Sequence, residues 1–227
     1  MKSKLITAGL ALASLFAAPL ATNAADLGVR PAYKAPAYVA PSVFSWSGFY
    51  IGVNGGYGFG TSDWTGPVPV SLDPKGWMFG PTIGYNLQTG SWVWGVEADW
   101  DWSSQKQSKG CGGAVCSFDD QWFATVRGRI GYAGWSSMMP YITGGAAFAN
   151  EKASNNAAGG GSTSETRIGW TFGAGLEYAL WSSWSVKLEY LYADLGKFSC
   201  GTCVPGPGAD QVSFKNNIAR IGVNYRF

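Results

Sequence analysis

The stretch WVWGVEADWDW, Trp92 to Trp102, decides the fold. Its four tryptophans occupy positions 92, 94, 100 and 102, whereas Glu97, Asp99 and Asp101 all fall on odd positions. Side chains of an extended strand alternate between two faces. One face therefore carries every indole together with Val96 and Ala98, and the other carries every carboxylate. A strand so divided separates apolar surroundings from charged ones, which is not how a water-soluble sheet is usually arranged.

The same alternation of period two recurs on both sides of this stretch, eight times in all. In GFYIGVNGGYGFG (48–60) Phe49, Ile51, Val53, Tyr57 and Phe59 share a face, with Gly52, Asn54, Gly56 and Gly58 opposite. WMFGPTIGYNLQ (77–88) aligns Trp77, Phe79, Ile83, Tyr85 and Leu87. A fourth run sets Phe118, Trp122, Ala124, Val126, Ile130 and Tyr132 against Asp119, Gln121, Thr125, Arg127 and Arg129. The fifth, Pro140 to Glu151, is weaker and has Ile142, Ala146 and Phe148 on its apolar side. In the sixth, Ile168 through Leu180 oppose Arg167, Thr171 and Glu177; in the seventh, Trp184 through Tyr192 oppose Lys187 and Glu189. The last sets Ala219, Ile221, Val223, Tyr225 and Phe227 against Arg220, Asn224 and Arg226.

The connections select the architecture. QTGS, AGWSS and LWSS are short, whereas the links near 61–75, 103–117, 152–165 and 197–211 are longer, polar and glycine-rich. Strict short-long alternation places all short turns at one end of a meander and all long loops at the other. Such a sheet must either leave two edges or close. No amphipathic helix or second sheet is available to cover its apolar face, so closure inside a bilayer is expected, where lipid meets that face and every ladder hydrogen bond is satisfied. Runs of about 11 residues, at roughly 3.3 Å each and tilted about 40°, span on the order of 25 Å, the thickness of the hydrocarbon band. Aromatics cluster at both strand ends with Val96, Ala98, Val126, Ala174, Ile221 and Val223 between them, as in the two interfacial girdles of a membrane barrel. A soluble secreted sandwich is the alternative.

The rest of the composition is consistent with this. Among 227 residues there are 12 Trp, 11 Tyr, 12 Phe and 33 Gly, with 13% charged residues and no His. The chain opens with Lys2 and Lys4, an apolar stretch from Leu5 to Ala18, and small residues before Ala25, a secretory signal peptide expected over 1–24 rather than a membrane anchor. Its removal leaves fourteen basic and fourteen acidic residues, a balance that disfavours a nucleic-acid partner. Residues 25–47 read as a Pro/Ala-rich arm with Pro31, Pro36 and Pro41 evenly spaced. Residues 48–227 form the expected domain: all-β, an eight-stranded antiparallel up-and-down transmembrane β-barrel.

Several of these segments resemble a known family. WSGFYIGVNGGYGFG after a proline-rich arm, RIGYA, GAGLEYAL, VKLEYLYADLG and the terminal ARIGVNYRF are similar to the small outer-membrane porin-family proteins of alphaproteobacteria, often called outer-membrane immunogenic proteins. The resemblance covers nearly the whole mature chain. It implies an OmpA-like eight-stranded barrel in the outer membrane of a Gram-negative cell, insertion by the barrel assembly machinery, exposed antigenic loops and a largely structural role supporting the envelope. Haem binding or small-solute diffusion has been proposed for some members. Val223, Tyr225 and Phe227 match the family's insertion signal. Outer-membrane lipid and the assembly machinery are the implied partners, with peptidoglycan and host factors open.

Two constellations invite chemistry. Cys111, Cys116, Cys200 and Cys203 fall in the expected long loops, and an oxidising envelope favours disulfides. Local pairs are the simplest of three connectivities; free thiols and a four-sulfur zinc site are the alternatives. The inward charges Glu97, Asp99, Asp101, Arg127, Arg129, Arg167, Glu177, Lys187, Glu189, Arg220 and Arg226 read as a mutually neutralising network filling a lumen just wide enough for side chains. A selective pore is the bolder reading, and inner Gly52, Gly56 and Gly58 would leave room for water. Without His no Ser-His-Asp or Cys-His site can form, haem ligation would need Tyr or Met, and no cofactor is expected. GGYGFG lacks the Lys and following helix of a phosphate loop.

Overall fold

The computed structural model describes residues 44–65, 70–111, 114–135, 137–156, 162–200 and 210–227. The expected signal peptide, 1–24, and the proline-rich arm up to residue 43 lie outside the described residues. Nine strands follow one another: β1 (Gly48–Thr65), β2 (Val70–Leu72), β3 (Lys75–Thr89), β4 (Trp92–Cys111), β5 (Ala114–Tyr132), β6 (Met138–Asn155), β7 (Ser162–Ala179), β8 (Trp184–Cys200) and β9 (Asp210–Arg226). All neighbours are antiparallel, and β1 pairs with β9 from Tyr50↔Arg226 to Thr65↔Gln211, so β1 and β3–β9 close into an eight-stranded barrel. That closure excludes the sandwich. The short β2 pairs with the end of β1 through Ser62↔Leu72 and Trp64↔Val70.

The alternation is realised as expected over the middle of the strands. Trp92, Trp94, Val96, Trp100 and Trp102 are exposed on the outside, whereas Glu97, Asp99 and Asp101 are buried within. Phe49, Ile51, Val53, Trp77, Phe79, Ile168, Trp170, Leu188, Ile221 and many others join that outer face. Exposed apolar surface on this scale is stable only against lipid.

Three features depart from the expected pattern. First, the eight barrel strands hold 15 to 20 residues rather than about 11, and much of what reads as long loop is strand. The 103–117 link is the extreme case, since pairing continues as far as Cys111↔Ala114. The extra length projects beyond the hydrocarbon band at the long-loop end. Second, bulges interrupt the register between Trp102 and Gln105, between Asp120 and Trp122, and between Asp194 and Lys197. An extra residue in one strand switches the face of every residue beyond it. In β5 this turns Phe118 and Asp120 inward and Asp119 outward, while Gln121 is exposed, opposite to simple alternation. In β8 the bulge uses Gly196 at φ +73°, whose N–H donates to Asp194 Oδ1 at 2.9 Å. Third, the inner glycines leave no free space for water. A Cβ at Gly56 would lie 2.4 Å from the Ala219 carbonyl oxygen and one at Gly58 would lie 1.8 Å from Gln105 Nε2, so neighbouring groups already fill that volume.

The interior is stratified. Near the long-loop end Trp64, Leu72, Met78, Phe118, Phe123, Leu191, Val212 and Phe214 belong to one apolar cluster. At the short-turn end Trp46, Val93, Met139, Tyr141 and Ala179 form a second, with Phe44 packed against it. The charged groups lie between. The lower cluster is pinned by the chain entering β1: Trp46 N–H donates to Gln88 Oε1 at 2.9 Å, Gln88 N–H donates to Ser47 Oγ at 2.9 Å, and Arg226 Nη1 donates to the Ser45 carbonyl at 2.6 Å.

Val96, 61% exposed at mid-strand, tests the outer face. Val96→Arg is expected to cost roughly 2–4 kcal/mol of folding free energy in a bilayer. Urea titration of the refolded protein, read by heat-modifiable gel migration, measures it. Unchanged stability would show that this face does not meet lipid.

Candidate functional site

The central layer of the lumen is an ionic network built from five strands. Glu97, Asp99 and Asp101 come from β4, Arg127 and Arg129 from β5, Glu177 from β7, Lys187 and Glu189 from β8, and Arg220 from β9. Register sets the pairing: Glu97 stands beside Arg127, Glu177 beside Lys187 and Glu189 beside Arg220. All nine are buried.

Arg127 contacts Glu97 at 2.5 Å, Asp99 at 2.8 Å and Glu189 at 3.0 Å. Its Nε also donates to Thr125 Oγ1 at 2.8 Å, whose hydroxyl donates to Asp99 at 2.8 Å. Arg220 reaches Asp99 at 2.8 Å, Asp101 at 3.1 Å and Glu189 at 2.6 Å. Lys187 Nζ donates to both oxygens of Glu97 at 2.9 Å. Arg129 pairs with Glu177 and stacks 4.2 Å from the centre of the Tyr141 ring. Four cations thus face five carboxylates, and each cation has a direct anionic partner. Charges withdrawn from water survive only when paired and hydrogen-bonded.

Two placements differ from expectation. Arg167 lies outside this network and pairs with Glu165 at 2.6 Å near the long-loop end. Arg226 faces the floor, its guanidinium 4.6 Å from the Phe44 ring centre and 5.0 Å from that of Trp46. Both point inward by alternation, but their height along the strand removes them from the ionic layer. Sequence reasoning also misses Tyr50, whose hydroxyl donates to Glu97 at 2.7 Å, and Tyr141, whose hydroxyl donates to Glu189 at 2.9 Å. Tyr50 holds an inner position of the first run, and that parity is the signal that could have found it.

Above the ionic layer the β5 bulge places Asp120 inward, directly opposite Glu151 of β6. Both carboxyls are buried, and apart from the Ser103 hydroxyl beside Asp120 their oxygens have no side-chain hydrogen-bond partner among the described residues. They stand beyond the lipid-facing run that begins at Trp122 on β5 and ends near Phe148 on β6. Burial pushes the Asp120 carboxyl up to about 8, and burial with the neighbouring Asp120 charge pushes Glu151 up to about 8.

Cys116 is disulfide-bonded, which rules out a zinc site made from all four cysteine sulfurs. Cys200 is described only as the last residue of β8; its side chain and those of Cys111 and Cys203 lie outside what is described, so the connectivity does too. Among the described residues no three Cys, Asp or Glu side chains are grouped to hold a metal.

A closed barrel of eight strands, apolar outside over its middle and ionically filled inside, defines an integral β-barrel protein of the outer membrane. The chain belongs to the family of the outer membrane protein beta-barrel domain, which matches residues 8–227. It is 34% identical to the 31 kDa outer-membrane immunogenic protein of Brucella melitensis, over the whole of both chains. It is 35% identical to the 25 kDa outer-membrane immunogenic protein of the same organism, covering 87% of this chain and 86% of the relative. A 22 kDa outer membrane protein of Rhizobium leguminosarum is 30% identical over 81% of this chain and 79% of its own. Among solved structures, the outer membrane protease OmpT of Escherichia coli superposes with a TM-score of 0.53 at 9% identity, over 79% of this chain and 97% of that one; the likeness is of fold alone. The relatives are named as outer-membrane and immunogenic proteins, not as enzymes, and the protein resides in the outer membrane.

The network and the carboxyl pair each carry a test. Arg127→Met takes one cationic partner from each of Glu97, Asp99 and Glu189, leaving three cations to face five carboxylates, and is expected to lower stability by about 3–5 kcal/mol, measured by urea unfolding in lipid vesicles; a loss below about 1 kcal/mol would show that the pairs contribute little. For Asp120 and Glu151 the folded state holds protons that the unfolded chain releases near pH 4, so stability is greatest at low pH and falls as pH rises towards 8. Asp120→Asn with Glu151→Gln should flatten that fall between pH 5 and 8, read as thermal unfolding in neutral detergent; a slope equal to the parent's would refute the assignment.

Proposed function

We propose that the protein works as a structural element of the outer membrane, supporting envelope integrity and presenting four loops outside the cell, rather than as a pore. One observation supports this most strongly: the lumen is filled at three successive levels, by the Trp46 cluster, the ionic layer and the Phe118–Phe214 cluster. A diffusion pathway needs a continuous wet channel. Here the central polar layer is occupied by side chains that bind one another, and apolar layers above and below would have to be displaced for ions to pass. Porins conduct because their larger barrels leave an aqueous interior, whereas eight strands enclose little more than side chains.

The loops in this reading are the surface on which the protein meets its surroundings, as the immunogenic character in the relatives' names suggests. Insertion through Val223, Tyr225 and Phe227 by the barrel assembly machinery belongs to the same proposal. Planar-bilayer recording of the refolded, full-length protein tests it. The expected result is no step conductance above the bare membrane; reproducible single-channel steps would establish the pore instead.

A further inference from the structure

The residue inserted in β5 at Gln121 brings an acidic row into the lumen above the ionic layer. Register aligns Gln105 of β4, Asp120 of β5 and Glu151 of β6 on three adjacent strands, all facing inward. Directly opposed residues of an antiparallel pair have Cβ atoms about 5 Å apart, so the three polar heads can converge on one point. Gln105 and Asp120 are fully buried, and Glu151 is 2% exposed. Glu165 of β7 continues the row, but it is exposed and engaged by Arg167 at 2.6 Å.

The row is short of positive charge. Every carboxylate of the ionic layer below has a cation beside it, whereas Asp120 and Glu151 form no ion pair among the described residues. The lysines nearest in register, Lys106 and Lys152, are exposed on the outward face, where both stand opposite Asp119. Gln105 is an independent sign of a ligand. Its Nε2 donates to Met78 Sδ at 3.1 Å, which turns Oε1 away from Met78 and leaves that oxygen unpartnered in a side chain with no exposure. A buried amide oxygen in this state is costly unless something electropositive meets it. The Ser103 hydroxyl beside Asp120 adds a fourth oxygen, and the inward neighbours of Glu151 along β6, Ala149 and Ala153, take up little of the lumen.

A seam in the wall lies beside the row. Among the described residues β7–β8 pairing stops at Trp170↔Asp194, although β7 extends to Ser162 beside β6 and β8 extends to Cys200 beside β9. The strands part where β8 bulges at Gly196. Separating their upper edges breaks no ladder bond between them, and it leads from solution past Glu165 to Glu151.

We propose that Asp120, Glu151 and the Gln105 Oε1 atom bind one calcium ion above the membrane, with Ser103 beside Asp120 and water completing the shell. All the donors are hard oxygens, and one divalent cation balances two carboxylates. Arms of unequal length from three strands suit calcium, which tolerates irregular shells, better than magnesium, which demands a near-ideal octahedron. The ion displaces carboxyl protons as it binds and ties β4, β5 and β6 together where they leave the bilayer. The site is independent of whether the lumen conducts.

The test uses the full-length protein, refolded in neutral detergent free of lipid phosphate, stripped with EDTA and titrated with calcium chloride at about pH 8.5, where protons compete least for the carboxylates. Isothermal titration is expected to find one ion per chain. The heat-modifiable gel band should convert several degrees higher with calcium than with sodium chloride of equal ionic strength. Asp120→Asn/Glu151→Gln should abolish both effects, and Gln105→Met, which keeps the volume but removes the oxygen, should weaken binding about tenfold. Asp73→Asn, at an exposed carboxylate outside the row, should leave both unchanged, and the gel band itself reports that each variant is folded. No binding to the parent, or binding retained in Asp120→Asn/Glu151→Gln, would overturn the site. Unchanged affinity in Gln105→Met would overturn Gln105 as a ligand, and equal affinity for magnesium would overturn the assignment to calcium.

Discussion

The constraint on which everything else depends is that hydrocarbon offers no hydrogen bonds. Every backbone N–H and C=O within the bilayer must be satisfied by the protein itself, and for strands this requires a sheet without edges. The pairing of β1 with β9 from Tyr50 to Thr65 is therefore the contact that permits the others. It brings Arg220 of β9 to the same lumen as Asp99 of β4, residues 121 positions apart. An open sheet with the same alternation would leave both the carboxylates and the indoles without their surroundings.

Closure then creates a second problem inside. Nine charged side chains are removed from water, and their desolvation is offset only by one another and by the hydroxyls and amides around them. Buried pairs of this kind are poor evidence of net stability, since apolar residues of similar volume often serve as well. What they do provide is a requirement for correct register. A one-residue slip between β4 and β5 would separate Glu97 from Arg127 and turn the indoles of Trp100 and Trp102 into the lumen. The ionic layer and the aromatic exterior thus penalise the same error from opposite sides of the wall.

Much of this is legible from residue order, because period two is a local property. The eight barrel strands, the inward carboxylates of β4 and the partnership of Glu97 with Arg127 follow from parity and from the short turns alone. The rest depends on height along the strand or on breaks in parity. Arg167 and Arg226 point inward as parity requires, yet stand above and below the ionic layer, because alternation specifies a face and not a level. Simple alternation puts Phe118, Asp119 and Asp120 on the wrong faces because a bulge of one residue at Gln121 has no strong composition of its own. Tyr50 and Tyr141 are hard to recognise as network members because an aromatic in an alternating run is naturally counted with its lipid-facing neighbours.

The bulges also explain why the interior changes character where it does. Within the bilayer the outside is apolar, so polar and charged residues can be placed inside. Above the interface the strands continue into water, and the preference reverses: Asp119, Lys106 and Ser117 face out while Phe118, Phe214 and Val212 pack within. A strand crossing from one regime to the other must exchange the roles of its two faces. It can do so by changing residue types at fixed parity, as β9 does between Arg220 and Phe214, or by inserting a residue, as β5 does at Gln121. The apolar cap above the ionic layer is therefore a consequence of strands that outgrow the membrane. That cap is also what separates the buried charges from the extracellular solution.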